Sequence, residues 1–336
     1  MTLPTFSVAI ETANLSVADL DGLRVTLDAL SAQTVPITQA REVLLTDSGD
    51  VPTDMLEQLL RDYPWVRALR LPRGTGYEEL KSAAVEASTG DVIVYADGDC
   101  YYEPVWLEAI LAPFADPSVA IVGGETNIDS AGPYGLAMAI AFSFTASTSS
   151  GLYRSDRYHF NNVAFRRPVL QRIPVPTRRP CYRMTGLHAA ALQAGGYTIW
   201  RTPHARVRHA PPNGFTHFMW RFLLFGHDGV VVPRLVAAQA RAAGRGPTRA
   251  RHTLRLAWLW VSQAGKKLVG EIRRRPIRAP ELIVVAPIIM AAMMFQAAGA
   301  VGGLVASPQL LAAMPEEILR ASTCEPRHGT REVPGG

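Results

Sequence analysis

The run Gly90-Asp91-Val92-Ile93-Val94-Tyr95-Ala96-Asp97-Gly98-Asp99 decides how the chain is read. Val92 to Tyr95 are β-branched or aromatic and Gly90 breaks the structure ahead of them, so they read as a short buried strand. The strand ends in two carboxylates separated by one glycine. Acids at i and i+2, where a strand gives way to a loop, can both turn toward one divalent cation. Hard oxygen ligands suit Mg2+ or Mn2+. Gly98 lets a ligand approach the backbone closely. Asp-x-Asp alone is a weak motif, because the same residues also make a solvated acidic turn.

Upstream of this strand, apolar runs alternate with helical spacing. Phe6 to Ile10, Glu42 to Leu45 and Val66 to Leu71 read as strands. Leu20 to Leu30, Met55 to Tyr63 and Tyr77 to Ala87 read as helices. This order predicts an α/β fold with a mostly parallel sheet flanked by helices. In such sheets ligands collect beyond the carboxyl ends of the strands. The polar clusters Glu11 to Asn14, Asp47 to Gly49 and Asp97 to Asp99 therefore point to one site.

The chain has 336 residues, 48% of them hydrophobic and 19% charged, enough for one large domain or for two. Its net charge of +5 is uneven: Arg234 to Arg278 holds twelve basic residues and the single acid Glu271, about +11, leaving about −6 elsewhere. A compact basic stretch suits nucleic acid or an anionic membrane surface, and the apolar run behind it favours the membrane. No stacking motif on a recognisable module supports nucleic acid as a partner. Cys100, Cys181 and Cys324 are too few and too scattered for a disulfide framework, which fits a reducing cytoplasm. Met1 to Ile10 lacks the pattern of a secretory signal.

Taken together, Ser-Val-Ala-Ile-Glu-Thr-Ala-Asn (7–14), Leu-Leu-Thr-Asp-Ser-Gly-Asp (44–50), Lys81 and the Gly90–Asp99 run resemble the family 2 glycosyltransferases of GT-A fold. The likeness continues through Val122-Gly123-Gly124, Asn161 to Arg167, Gly196-Tyr197 and Pro203 to His209, and fades near Asp228. The resemblance implies an inverting, metal-dependent enzyme that takes a nucleoside-diphosphate sugar as donor. It implies that Thr12 and Asp47 border the base, that Lys81 stands near the nucleotide, and that Asp97 and Asp99 hold Mn2+ or Mg2+ on the diphosphate. Turn chemistry explains Thr12 and Asp47 as well, and an exposed helix face explains Lys81.

The chain departs from the family where relatives carry Glu-Asp before an apolar helix, the Asp being the usual base. Counting back from Gly196-Tyr197, that place holds Arg183-Met184-Thr185-Gly186, and no acid lies between Asp156 and Asp228. Three explanations stand open. His188, one turn along the same helix, takes the proton; Glu125 or Asp228 comes in from elsewhere; or the protein is a non-catalytic nucleotide-sugar-binding membrane protein. Arg183 could contact a phosphate, Asn162 sits where the acceptor side begins, and Trp220 could stack on a sugar. The stretch Phe218 to Asp228 matches the Gln-x-x-Arg-Trp motif of processive relatives poorly, so polymer synthesis is not expected.

The expected organisation is a catalytic domain over 1–237, a basic linker over 238–251, membrane-associated helices over 252–315 and a polar tail over 316–336. Leu254 to Val261, with Trp258 and Trp260, suits a helix lying in the interface or docked on the domain. Leu282 to Ala306 is uncharged and about 37 Å long as a helix, enough to cross a bilayer core of ~30 Å. Arg273, Arg274, Arg275 and Arg278 at its amino end put that end and the catalytic domain on the cytoplasmic side. The expected acceptor is a glycan or a lipid-linked sugar, and membrane lipids are expected partners.

Overall fold

The computed structural model describes residues 3–13, 20–142, 149–177, 181, 184–242, 270, 273 and 279–305. The first half is a run of strand and helix: β1 (Phe6–Glu11), α1 (Leu20–Ser31), β2 (Val43–Asp47), α2 (Thr53–Asp62), β3 (Val66–Arg70), α3 (Tyr77–Glu86) and β4 (Val92–Asp97). Every residue of β1, β2 and β4 is buried, as strands covered on both faces require. They pair in parallel in the order β3-β2-β1-β4, with Glu11 opposite Asp97 and also opposite Thr46. The three polar strand ends noted in the sequence thus share one rim.

The second half is mixed. β5 (Cys100–Tyr102), α4 (Trp106–Leu111), β6 (Ile121–Ile128), α5 (Gly132–Phe142), β7 (Tyr153–Ser155), β8 (Val163–Arg166), α6 (Arg167–Arg172), α7 (Thr185–Ala194) and β9 (Ile199–His209) follow. The sheet continues β4-β8-β6-β9-β5, with β8 antiparallel to both neighbours and β6 parallel to β9. Because β8 reverses direction between them, β6 points the same way as β4, and its carboxyl end joins the same rim. Register carries Tyr95 across Val163 to Gly123, so Glu125 lies level with Asp97, two strand spacings or roughly 10 Å away. A side chain at Gly124 would meet Ala205 O at 2.2 Å, so β6 and β9 approach this closely only through glycine.

α5 leaves the carboxyl end of β6 and α8 (Gly214–Ala242) follows β9. These two helices pack with α9 (Ala279–Val305) around Met138, Ile140, Phe218, Phe222, Val285 and Ile289. The α8–α9 crossing is built on small residues: a side chain at Gly226 would strike Gln296 O at 1.8 Å, and one at Gly299 would strike Leu223 O at 1.8 Å. Such close crossings suit helices in lipid, where packing replaces the hydrophobic drive.

α9 matches the expected apolar span within a few residues and continues through Pro287. Over Pro280–Val305 its mean hydropathy is 2.1, and only 22% of its most apolar window is buried within the molecule. Ile283, Met294 and Val305 stand 78%, 68% and 79% exposed. A soluble core helix would hide such residues. The linker expected from Ala238 starts inside α8, whose helical spacing runs on to Ala242. Its remainder, the Trp258 helix and the polar tail lie outside the described residues.

Candidate active site

Asp97 ends β4 with 3% of its surface exposed. Lys81 on α3 reaches it at 2.6 Å and also donates to Ala96 O at 3.0 Å. Tyr77 Oη donates to both carboxylate oxygens at 3.1 Å. Lys81 is fully buried, its ammonium over the rings of Tyr77, Tyr95 and Phe160 at 4.9, 5.3 and 5.1 Å. The exposed-face reading of Lys81 is therefore corrected: it is the counter-ion of a buried carboxylate.

Glu11, at the same level on β1, is 1% exposed and accepts from Ala13 N–H at 2.7 Å. Burial, and next to it the charge of Asp97, hold its carboxyl well above the usual carboxylate range. It was visible in the sequence as one more strand ending in an acid, but its raised pKa comes from burial in the sheet and then from Asp97 on the neighbouring strand. Asp47 takes its expected place on the rim and is spent locally. It accepts from Thr12 Oγ1 at 2.9 Å and from the backbone N–H groups of Gly49, Asp50 and Val51 at 3.1 Å each, which is turn chemistry.

Asp99 stands differently. It precedes β5, which pairs antiparallel with β9 so that Cys100 is opposite His209. His209 Nε2 lies 3.4 Å from Asp99 Oδ2, and Cys100 Sγ lies 3.5 Å from Asp99 Oδ1. The ligand atoms of Asp99, Cys100 and His209 all fall within 4.8 Å of one another, a geometry able to hold a cation. Burial raises the pKa of Asp99, while His209 and Arg221 on α8 pull it down. His217, a turn before Arg221, is driven down to about 3 by burial and by the charges of Arg221 and His209, so it is a neutral imidazole at physiological pH. Of the two aspartates expected as ligands, Asp97 is tied to Lys81 and Asp99 faces the imidazole. His209, Cys100, His217 and Arg221 were not singled out from sequence, since only pairing across β5, β9 and α8 brings them together.

The remaining expected residues divide. Asn162 is fully buried: its Nδ2 donates to Glu125 O at 3.1 Å and Ala205 O at 3.0 Å, and its Oδ1 accepts from Trp106 Nε1 at 2.8 Å. Its amide stitches β6 to β9 and α4, and its donors are spent on that task. Glu125 is held by Arg201 at 3.2 Å and by Tyr153 Oη. Trp220 is half-buried on α8, and Arg183 lies outside the described residues. His188 is fully buried among Tyr158 and Phe165, with Nδ1 2.6 Å from Tyr158 Oη and Nε2 2.8 Å from Ile173 O. Burial lowers its pKa. With Nε2–H donating to the carbonyl and Nδ1 accepting from the phenol, neither nitrogen is left for an acceptor's proton. The expectation that His188 is the base is corrected on that ground.

Asp228 lies on α8 beside His227, Nδ1 to Oδ1 2.9 Å, both fully or nearly fully buried. It is one turn before Val231 and Val232, which pack on Cys181, Met184 and Leu187 at the start of α7. Three to four residues along a helix share a face, so Asp228 points toward that start. Arg221 is two turns earlier on the same stripe, about 10 Å away along the axis.

The sequence model of the family described as Glycosyl transferase family 2 matches residues 7–174. The chain belongs to that family. A curated relative, the glycosyltransferase AglE of Haloferax volcanii, is 29% identical over 128 residues, 38% of this chain and 40% of that protein. The chain thus spans less than half the length of that relative. Among solved structures, a mannosyltransferase from Pyrobaculum calidifontis, PcManGT, in complex with GDP-Man and Mn2+, superposes with a TM-score of 0.57 at 18% identity, covering 91% of this chain and 88% of that one. GalNAc-T7 with UDP, GalNAc and Mn2+ superposes with a TM-score of 0.51 at 14% identity, covering 81% and 57%. At these identities the likeness is one of fold, and it bears out the GT-A architecture expected for this family 2 glycosyltransferase.

Proposed function

We propose that this family 2 glycosyltransferase moves a sugar from a nucleoside-diphosphate donor to a lipid-linked or glycan acceptor at a membrane, with inversion, using a divalent cation. The observation that carries this reading is the pairing of Asp99 with His209 at the carboxyl rim of the sheet. A carboxylate and an imidazole fit such a cation. Both solved neighbours are Mn2+ complexes, which supports Mn2+ here. When bound, the cation supplies positive charge where the leaving diphosphate gathers negative charge.

The chain's own residues supply the rest. Lys81 pairs with Asp97 and fixes it on the rim. Arg221 and neutral His217 line the start of α8 next to Asp99, as donors for anionic oxygens. Asp228 is our candidate for the proton acceptor, and the packing of its helix against the start of α7, where the family resemblance puts the base, supports that choice. His227 orients it.

Attachment through α9 follows from that helix's length and exposed apolar face. α5 and α8 depart from the same rim that carries Asp99 and join α9, so an acceptor held in lipid would meet the site from that side. Arg273, Arg274, Arg275 and Arg278 favour the cytoplasmic side for the catalytic domain. The rival reading, a donor-binding protein without turnover, is favoured by Met184-Thr185 at the usual place of the base.

Thermal unfolding in detergent across a panel of nucleoside-diphosphate sugars, with and without Mn2+, tests the first point, because a ligand of the native state raises the midpoint. One donor should stabilise the protein only with Mn2+. If none does, the donor reading fails. If one does and no sugar reaches water or any lipid-linked or free glycan acceptor, the rival stands.

A further inference from the structure

We propose that α9 lies flat in one leaflet of the membrane, with both of its ends on the side of the catalytic domain, and does not cross the bilayer. The inference rests on the reading of α9 as the membrane attachment and concerns how that helix meets lipid.

α9 is docked on the rest of the molecule along its length, by one face. Val285, Ile289, Ala292, Gly299 and Gly303 are all buried and fall on a single helical stripe. From Val285 to Gly303 that stripe is roughly 27 Å long, close to the ~30 Å of a hydrocarbon core. The opposite stripe, Ile283, Met290, Met294, Val301 and Val305, is apolar and exposed over the same length.

The partners of the docked stripe decide the orientation. Its amino half shares an apolar cluster with α5 and with Ile128 at the end of β6. Its carboxyl half runs beside α8: Phe295 meets Phe215 and Phe218, and a side chain at Gly303 would meet His227 O at 2.9 Å. Arg234 Nη1 donates to Gly303 O at 3.2 Å, and His227 belongs to the buried pair with Asp228. Were α9 to stand across the bilayer, these partners would share its depth. Arg234, His227 and Asp228 would enter hydrocarbon, where ionisable groups are costly. So would the irregular backbone after β6 and β9, where Tyr134 Oη donates to Pro212 O; loops facing lipid do not occur at that depth. With α9 flat, its outer stripe enters the leaflet and the sheet rim stays in water. Interfacial helices ordinarily carry a charged face. α9 needs none, because α5 and α8 cover its inner face. Arg273, Arg274, Arg275 and Arg278 at its amino end suit anionic headgroups.

Two other accounts compete: a spanning helix, which length and hydropathy allow, and a contact between two copies of the chain. Nitroxide labels at Ile283→Cys, Met290→Cys, Met294→Cys and Val301→Cys separate them. Each is made singly in the full-length chain carrying Cys324→Ser. These positions are exposed, so cysteine there spares the packing, while Cys100 and Cys181 are buried. The protein is placed in vesicles of equal parts phosphatidylcholine and phosphatidylglycerol. Collisions of each label with oxygen and with a water-soluble nickel complex then give its depth. The expected result is four similar depths, roughly 5 to 10 Å into the headgroup and acyl boundary. Depths that reach the bilayer centre near Met290 and Met294 and return toward water at Ile283 and Val301 overturn the proposal and leave attachment through α9 in place. Labels that meet nickel alone, or that are broadened by the label of a second copy, overturn both.

Discussion

On the β3-β2-β1-β4 side of the sheet each rim carboxylate is closed by a group from its own βαβ unit. Asp47 is capped by the turn that follows it, and Asp97 is neutralised by Lys81 from the helix that precedes it. On the β8-β6-β9-β5 side the partners come from far along the chain. Asp99 faces His209, Glu125 faces Arg201, and α8 brings the charge of Arg221 to bear on Asp99. The first side is a preassembled rim. The second is a set of ligands and donors that exists only once the mixed sheet and the α5-α8-α9 bundle have formed.

If the second side holds the chemistry, Asp228→Asn should cut turnover by a factor of about 100 to 10,000 at saturating donor, the range for a general base. Donor stabilisation by Mn2+ should stay within a few-fold of the parent. Turnover kept within a few-fold would shift attention to Glu125 and dissolve the contrast.

Lys81→Met probes the first side. It leaves Asp97 buried without its counter-ion, and breaking such a pair costs about 3 to 5 kcal/mol. Urea unfolding should show that loss, and the double variant Lys81→Met with Asp97→Asn should recover most of it. An equal loss in single and double variants would mean that Lys81 matters for its packing alone.

His188→Gln sits between the halves and should leave donor binding and turnover nearly unchanged. It should cost about 1 to 3 kcal/mol by disturbing the Tyr158 and Ile173 bonds. Because the folded imidazole is held below its unfolded pKa, the unfolded chain binds the extra proton. The parent therefore loses stability as pH falls through about 6.5, and the variant should lack that share. A large fall in turnover at intact stability would restore His188 to the reaction.

The smallest effect belongs to Glu11→Gln. In the metal-free protein the folded carboxyl holds its proton above the unfolded pKa of about 4.3, so the parent loses stability as pH rises from there. The variant's stability should change less with pH over that window. Identical pH curves would show that Glu11 is not held protonated.

The sequence alone determined the parallel half, because apolar period, turn residues and strand-end acids are local properties. Glu11, Asp47, Asp97 and Asp99 could be placed on one rim from spacing, and α9 could be drawn from an uncharged run. What Lys81 does was not readable. Helical spacing says which residues share a face, and only packing of α3 against β4 says that this face is buried. The same holds for the two histidines. His188 and His209 are alike as letters, but one is enclosed by Tyr158 and the Ile173 carbonyl and the other stands across a strand pair from Cys100, beside Asp99. Antiparallel pairing of β5 with β9 joins residues that no local pattern connects, so the tertiary structure alone decided which imidazole faces the carboxylate.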